Sequence, residues 1–268
     1  MSIWKWMLLF ILGLVLTFIY YAAGQTIDEY FIRTTVGKCV YYVLAAGLMA
    51  VLYALFVKWF EAHKAKDLPL ARLIPELGKG LGFGVLMFSA VVLTMMVFGL
   101  CRFSSFGTDQ PQAIILSFFN FIFVAFGEEI IFRGVFFRWL DEKWGLAVAL
   151  LISSLAFGFV HIFQPGASWW SSLAISVEAG LLLGAAYKYS GNLWLPIGFH
   201  IAWNFTQGNI FGFAVSGLQQ DASLLSPSVS GPDILTGGAF GPEASIFSFV
   251  LGLAISIYFI LNVIRRER

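Results

Sequence analysis

The chain has 268 residues, of which 59% are hydrophobic and 12% charged, and it carries a net charge of +1. A soluble domain has about 45 to 50% apolar and about 25% charged residues, so this chain, with a mean hydropathy of +0.85, has too little charge to clothe a water-facing surface, and it is too apolar for a disordered one. No basic stripe interleaved with aromatics accompanies the near-zero charge, which excludes nucleic acid as the main partner and leaves the lipid bilayer.

A helix that crosses a bilayer needs about 20 largely apolar residues. Eight such runs stand between polar breaks, at about 6–23, 38–59, 80–101, 112–138, 145–163, 170–188, 192–209 and 245–263. They predict an all-α polytopic membrane protein with about eight transmembrane helices. The first run carries Lys5 and only a poor cleavage site near Ala22, Ala23 and Gly24, so it reads as an uncleaved span. Of the 16 Lys and Arg, twelve fall in one alternate set of loops and in the tails, among them Lys5, Lys64, Arg72, Lys143, Lys188 and Arg268; Arg33, Lys38 and Arg102 form the opposite set. Basic residues accumulate on the cytoplasmic side, which places both termini there.

The chain reads as one membrane domain: spans 1 to 3 in residues 1–111, a core of spans 4 to 7 in 112–209, a connection in 210–244, and a last span with a basic tail in 245–268. The connection holds no Lys or Arg and is rich in Gly, Ser and Pro. It is expected to be a mobile external loop with little to pack. Cys39 and Cys101 fall near the external ends of their spans; a disulfide is conceivable there, and two unrelated buried thiols are the preferred reading.

Ionisable side chains inside a span cost about 2.5 to 3.5 kcal/mol each on insertion scales and are functional candidates by default. The fourth span has three, Glu128, Glu129 and Arg133. Positions four apart share a helix face, so Glu129 pairs with Arg133, while Glu128 is turned by about 100° and addresses something else. Two adjacent carboxylates cannot both ionise cheaply in a low dielectric, and the uncompensated one is a candidate base. A buried ion pair that only holds helices together is the plainer alternative.

Three histidines occur. His63 lies in a basic loop, His161 ends the fifth span, and His200 sits within the seventh, one turn before Asn204. A bundle that gathers spans four, five and seven would join a base, a second proton carrier and neutral hydrogen-bond donors, the inventory for hydrolysing an amide with an activated water. Glu178 in the sixth span either lines the same cavity or bonds to a neighbouring helix, the latter preferred. Gly180 and Gly184 permit close helix approach, and Pro196 is expected to kink the seventh span. His161 comes out nearer the external end than Glu128 and His200. A shared site therefore requires a bend in the fifth span near Ser153, Ser154 or Gly158, or a tilt of the long fourth span, which is preferred.

At these residues the sequence resembles the CAAX-protease and bacteriocin-processing (Abi) family of intramembrane endopeptidases. The family pattern Glu-Glu-xxx-Arg, Phe-xxx-His, His-xxx-Asn is matched in order by Glu128, Glu129 and Arg133, by Phe157 and His161, and by His200 and Asn204, over about residues 112–208. The resemblance implies peptide-bond hydrolysis within the membrane, with no obligatory cofactor, on a membrane-associated protein or peptide substrate. It implies Glu128 as general base, His161 as holder of the water, His200 and Asn204 as oxyanion donors, and Glu129 and Arg133 as supporting groups. The expected location is a bacterial plasma membrane. The nearest rival is a zinc hydrolase using His161, His200 and Glu128; a proton-coupled transporter and a non-catalytic scaffold stand further off.

Overall fold

In a bilayer, backbone polar groups have no water to bond, so long apolar runs close their hydrogen bonds within a helix. The computed structural model describes residues 26–27, 32–60 and 67–267. The first expected span, Lys5, His63, Lys64 and Arg268 lie outside them.

The described spans are α1 (Thr35–Phe60), α2 (Leu73–Val97), α3 (Pro111–Trp144), α4 (Leu146–Val160), α5 (Trp169–Ser190), α6 (Trp194–Phe205) and α7 (Ile246–Glu267). Six of these helices are long and apolar enough to cross a membrane; α6 is shorter and ends in a π-helical turn, Thr206–Ile210. The chain is thus an all-α, multi-pass integral membrane protein. Span three starts earlier than its apolar run suggests, because Glu76 and Lys79, three apart, pair at 2.8 Å and carry the helix back into polar sequence. Pro196 leaves α6 unbroken: it sits in the first turn, where a missing N–H costs no intrahelical bond. Ser153 and Gly158 likewise do not break α4, since the Ser153 hydroxyl donates to the Ala149 carbonyl four residues back. The spare length is in α3, 34 residues or about 50 Å of helix, against a hydrocarbon core of about 30 Å.

Backbone contact between α2 and α6 sets the position of the seventh span. A Cβ added at Gly80 would lie 2.2 Å from the Leu195 carbonyl oxygen, one at Gly84 2.5 Å from that of Phe199, and one at Gly198 2.4 Å from that of Leu77. Between α4 and α5 the same device recurs, with Gly158 against the Ser172 carbonyl and Gly180 against that of Ser154. At one end the Asp67 carboxylate accepts from the hydroxyls of Tyr53 (2.6 Å) and Tyr187 (3.0 Å), which ties α1 to α5.

Residues 210–244, expected to be mobile, are packed. Leu225–Val229 pairs antiparallel with Cys101–Phe106 as a two-stranded ribbon, β2 on β1, with Cys101 opposite Val229 and a bulge between Phe103 and Phe106. Phe213, Val215, Phe240 and Glu243 are buried. The Gly and Pro content that suggested disorder instead makes tight turns: Gly212, Gly217, Gly237 and Gly241 all adopt positive φ. Cys39 and Cys101 are both free thiols.

Gly84→Ala and Gly198→Ala are expected to lower stability by about 1 to 3 kcal/mol through overpacking. Gly82→Ala, where a Cβ meets nothing within 4 Å, should leave it unchanged or higher. Thermal unfolding of the purified protein in detergent checks both.

Candidate active site

Glu128 and Glu129 end the α-helical part of α3, which then widens into π-helix over Ile130–Phe137 before returning to α-helix at Arg138–Trp144. Such segments recur at functional sites because the extra residue per turn re-aims the side chains around it. The pair Glu129 and Arg133 forms as spaced: Arg133 Nη1 donates to Glu129 Oε1 at 2.8 Å, with both groups fully buried. Arg133 Nη2 donates to the carbonyls of Ala179 (2.9 Å) and Gly180 (3.2 Å), within the π-helical stretch Ser176–Leu181 of α5. The guanidinium lies 4.4 Å over the Phe157 ring of α4.

Glu129 Oε1 has a second partner that sequence spacing does not reveal, His200 Nδ1 on α6, at 2.9 Å. A carboxylate only accepts, so Nδ1 carries the proton and Nε2 faces the other way. There it lies 3.9 Å from Glu128 Oε2. Glu128, 19% exposed against 0% for Glu129, is the glutamate that addresses open space. His161, in the 3₁₀ turn His161–Phe163 that ends the fifth span, has its Nδ1 2.8 Å from the Phe157 carbonyl; this makes Nδ1 the donor and leaves Nε2 available.

Glu128, His161, His200 and Asn204 line one cleft of about 450 Å³. Asn120 and Val124, eight and four residues before Glu128, extend its face along α3. Tyr42, Phe121 and Phe123 contribute aromatic lining, and Val215, Ser216 and Leu218 from the 210–244 segment line the cleft as well. Behind His200 and Asn204 is a second cavity of about 20 Å³, room for one water, lined also by Glu178, Ser216 and Glu243. Glu178 therefore faces a cavity, and its Cα packs on Gly252 of α7. Burial pushes the Glu243 carboxyl up to about 7, against donors from Ser216 and Gln207 that pull it down.

The six residues singled out from sequence thus come together. Those it missed are Ser216 and Glu243, in the discounted segment, and the amides Asn120, Gln164 and Gln220. Two signals were present: Asn120 is i−8 from Glu128, and Glu243 is a lone acid just before the last span. Among the described residues no three His, Cys, Asp or Glu side chains are grouped as a zinc ligand set.

Residues 110–206, the segment that carries Glu128, Glu129, Arg133, His161, His200 and Asn204, match the family model described as type II CAAX prenyl endopeptidase Rce1-like. No curated protein and no solved structure matches the chain.

Glu129→Gln strands Arg133 and is expected to destabilise the fold by about 3 to 5 kcal/mol. Glu129→Gln combined with Arg133→Gln should lose less than the two single losses added together. Unfolding midpoints of the four proteins in detergent give the comparison, and strict additivity would dissolve the pair as a structural unit.

Proposed function

We propose that this chain, through its Rce1-like segment, is an intramembrane endopeptidase that hydrolyses a peptide bond of a membrane-associated protein with a water activated by Glu128. The observation that carries the reading is the opposed pair of Glu128 Oε2 and His200 Nε2, 3.9 Å apart in one cleft with His161 and Asn204. Glu129 is occupied by Arg133 and His200, which leaves Glu128 as the carboxylate free to take a proton.

In this reaction Glu128 removes a proton from water, helped by the lone pair of His161 Nε2, and the hydroxide adds to the carbonyl carbon. The resulting oxyanion is held by the Asn204 amide N–H and by His200 Nε2. His200 donates there only as imidazolium, because Nδ1–H already points at Glu129; the oxyanion and the Glu129 carboxylate offset that charge while Glu128 holds the water's proton. Glu128 then returns its proton to the amide nitrogen, the C–N bond breaks to give a carboxylic acid and an amine, and the acid's proton passes to the amine, so that a carboxylate and an ammonium leave. None of these steps calls for a metal. The charge bias of the loops supports both termini on the cytoplasmic side of the membrane.

Glu128→Gln keeps the shape but accepts no proton. Cleavage of a reporter peptide by the purified variant is expected to fall by about 10²- to 10⁴-fold with the unfolding midpoint retained; near-native turnover would remove Glu128 from the role of base.

Activity is also expected to survive chelation. Elemental analysis beside the assay settles it, and stoichiometric zinc whose removal abolishes cleavage and whose return restores it would favour the zinc reading.

A further inference from the structure

Val215 and Leu218 exchange both backbone hydrogen bonds, each at 2.9 Å, around two central residues of positive φ, Ser216 (48°) and Gly217 (79°). That is a type I′ hairpin turn. Its first central residue is Ser rather than the usual Asn, Asp or Gly; among the described residues Ser216 is the one non-glycine at positive φ, a conformation that persists only where its surroundings enforce it. The surroundings are specific. The Ser216 N–H donates to the Glu243 carboxylate, and the Gln207 amide donates to the Ala214 carbonyl beside the turn at 2.6 Å. The Gly217 N–H donates to the Phe240 carbonyl at 2.8 Å. A Cβ at Gly217 would fall 1.8 Å from the Pro165 carbonyl oxygen, so the tip is wedged against the segment that follows His161.

The held turn stands along the cleft. Val215, Ser216 and Leu218 line it together with Tyr42, Phe121 and Phe123, and Leu218 is 49% exposed. Burying a carboxyl group costs free energy that an apolar side chain would not, so packing alone does not account for Glu243, whose Oε1 accepts the Ser216 N–H of this turn. The turn and Glu243 lie beyond the matched segment of residues 110–206.

We infer that the turn at residues 215–218 is a substrate lip, which holds an extended, uncharged apolar segment of the substrate against the aromatic lining from α1 and α3, and that Glu243 is the positioning residue that sets it. The inference rests on the proteolytic reading of the cleft and names the substrate class for it. Because the lip touches substrate beside the scissile bond rather than the reacting atoms, its disturbance acts on binding.

The test is KM and kcat of the purified full-length protein in liposomes on an apolar reporter peptide. Leu218→Asp changes an exposed side chain and is expected to raise KM about tenfold or more with kcat within about twofold. Glu243→Ala should do the same, and Glu243→Gln, whose amide oxygen still accepts the Ser216 N–H, should recover most of the loss. An unchanged KM in Leu218→Asp overturns the lip, and equal impairment of Glu243→Gln and Glu243→Ala overturns the positioning role. A benzophenone amino acid in place of Leu218, in a Glu128→Gln background, separates binding from cleavage. Cross-linking to the apolar peptide without cleavage by the native protein supports the lip while the proteolytic reading fails; cleavage by the native protein without cross-linking sinks the lip alone; neither cleavage nor cross-linking sinks both.

Discussion

A carboxylate at 0% exposure inside a membrane protein must find its compensation within the protein, and Glu129 finds it in two directions at once. Arg133 holds one side of Oε1 and His200 the other. Arg133 Nη2 donates to the Ala179 and Gly180 carbonyls, so one charged chain of contacts stitches α3, α5 and α6 together. The chemistry proposed for the cleft follows from that arrangement. Fixing His200 by its Nδ1 aims Nε2 at Glu128, and with Glu129 Oε1 engaged by Arg133 and His200, Glu128 is the carboxylate that faces the cleft.

Such a chain of contacts tolerates little slack, since a displacement of 1 Å would break hydrogen bonds of 2.8 to 2.9 Å. The bundle supplies rigidity through backbone-to-backbone packing at Gly80, Gly84 and Gly198, which fixes α6 along α2, while Gly158 and Gly180 bring α4 and α5 together in the same way. The π-helical stretches in α3 and α5 sit where those helices carry Arg133 and its carbonyl acceptors. Local helix geometry and the charged contacts therefore support one another, as expected of a site built on rigid elements.

Much of this was legible in the sequence because helix periodicity is a strong constraint. The spacing of Glu129 to Arg133 and of His200 to Asn204, and the turning of Glu128 away from its neighbour, follow from about 100° per residue. The span limits followed from the length of apolar runs, and erred where Glu76 and Lys79 could pair at a helix end. What was not legible depends on partners distant in the chain. The His200 to Glu129 bond joins residues 71 apart, and the ribbon of β1 and β2 joins segments more than a hundred residues apart, so nothing local announces either. The π-helical segments have no pattern of their own. The Gly- and Pro-rich composition of residues 210–244 permits disorder and tight turns equally, and only buried Phe213, Phe240 and Glu243 decide between them.

The central claim is that Glu128 activates water and does not itself attack the peptide bond. Many-turnover cleavage in ¹⁸O-enriched water, followed by mass spectrometry of the product and of the enzyme peptide containing Glu128, distinguishes the two directly. The account predicts ¹⁸O in the new product carboxylate and none in the Glu128 side chain. Label accumulating in the Glu128 carboxylate with turnover would mean an acyl intermediate on the glutamate and would contradict it.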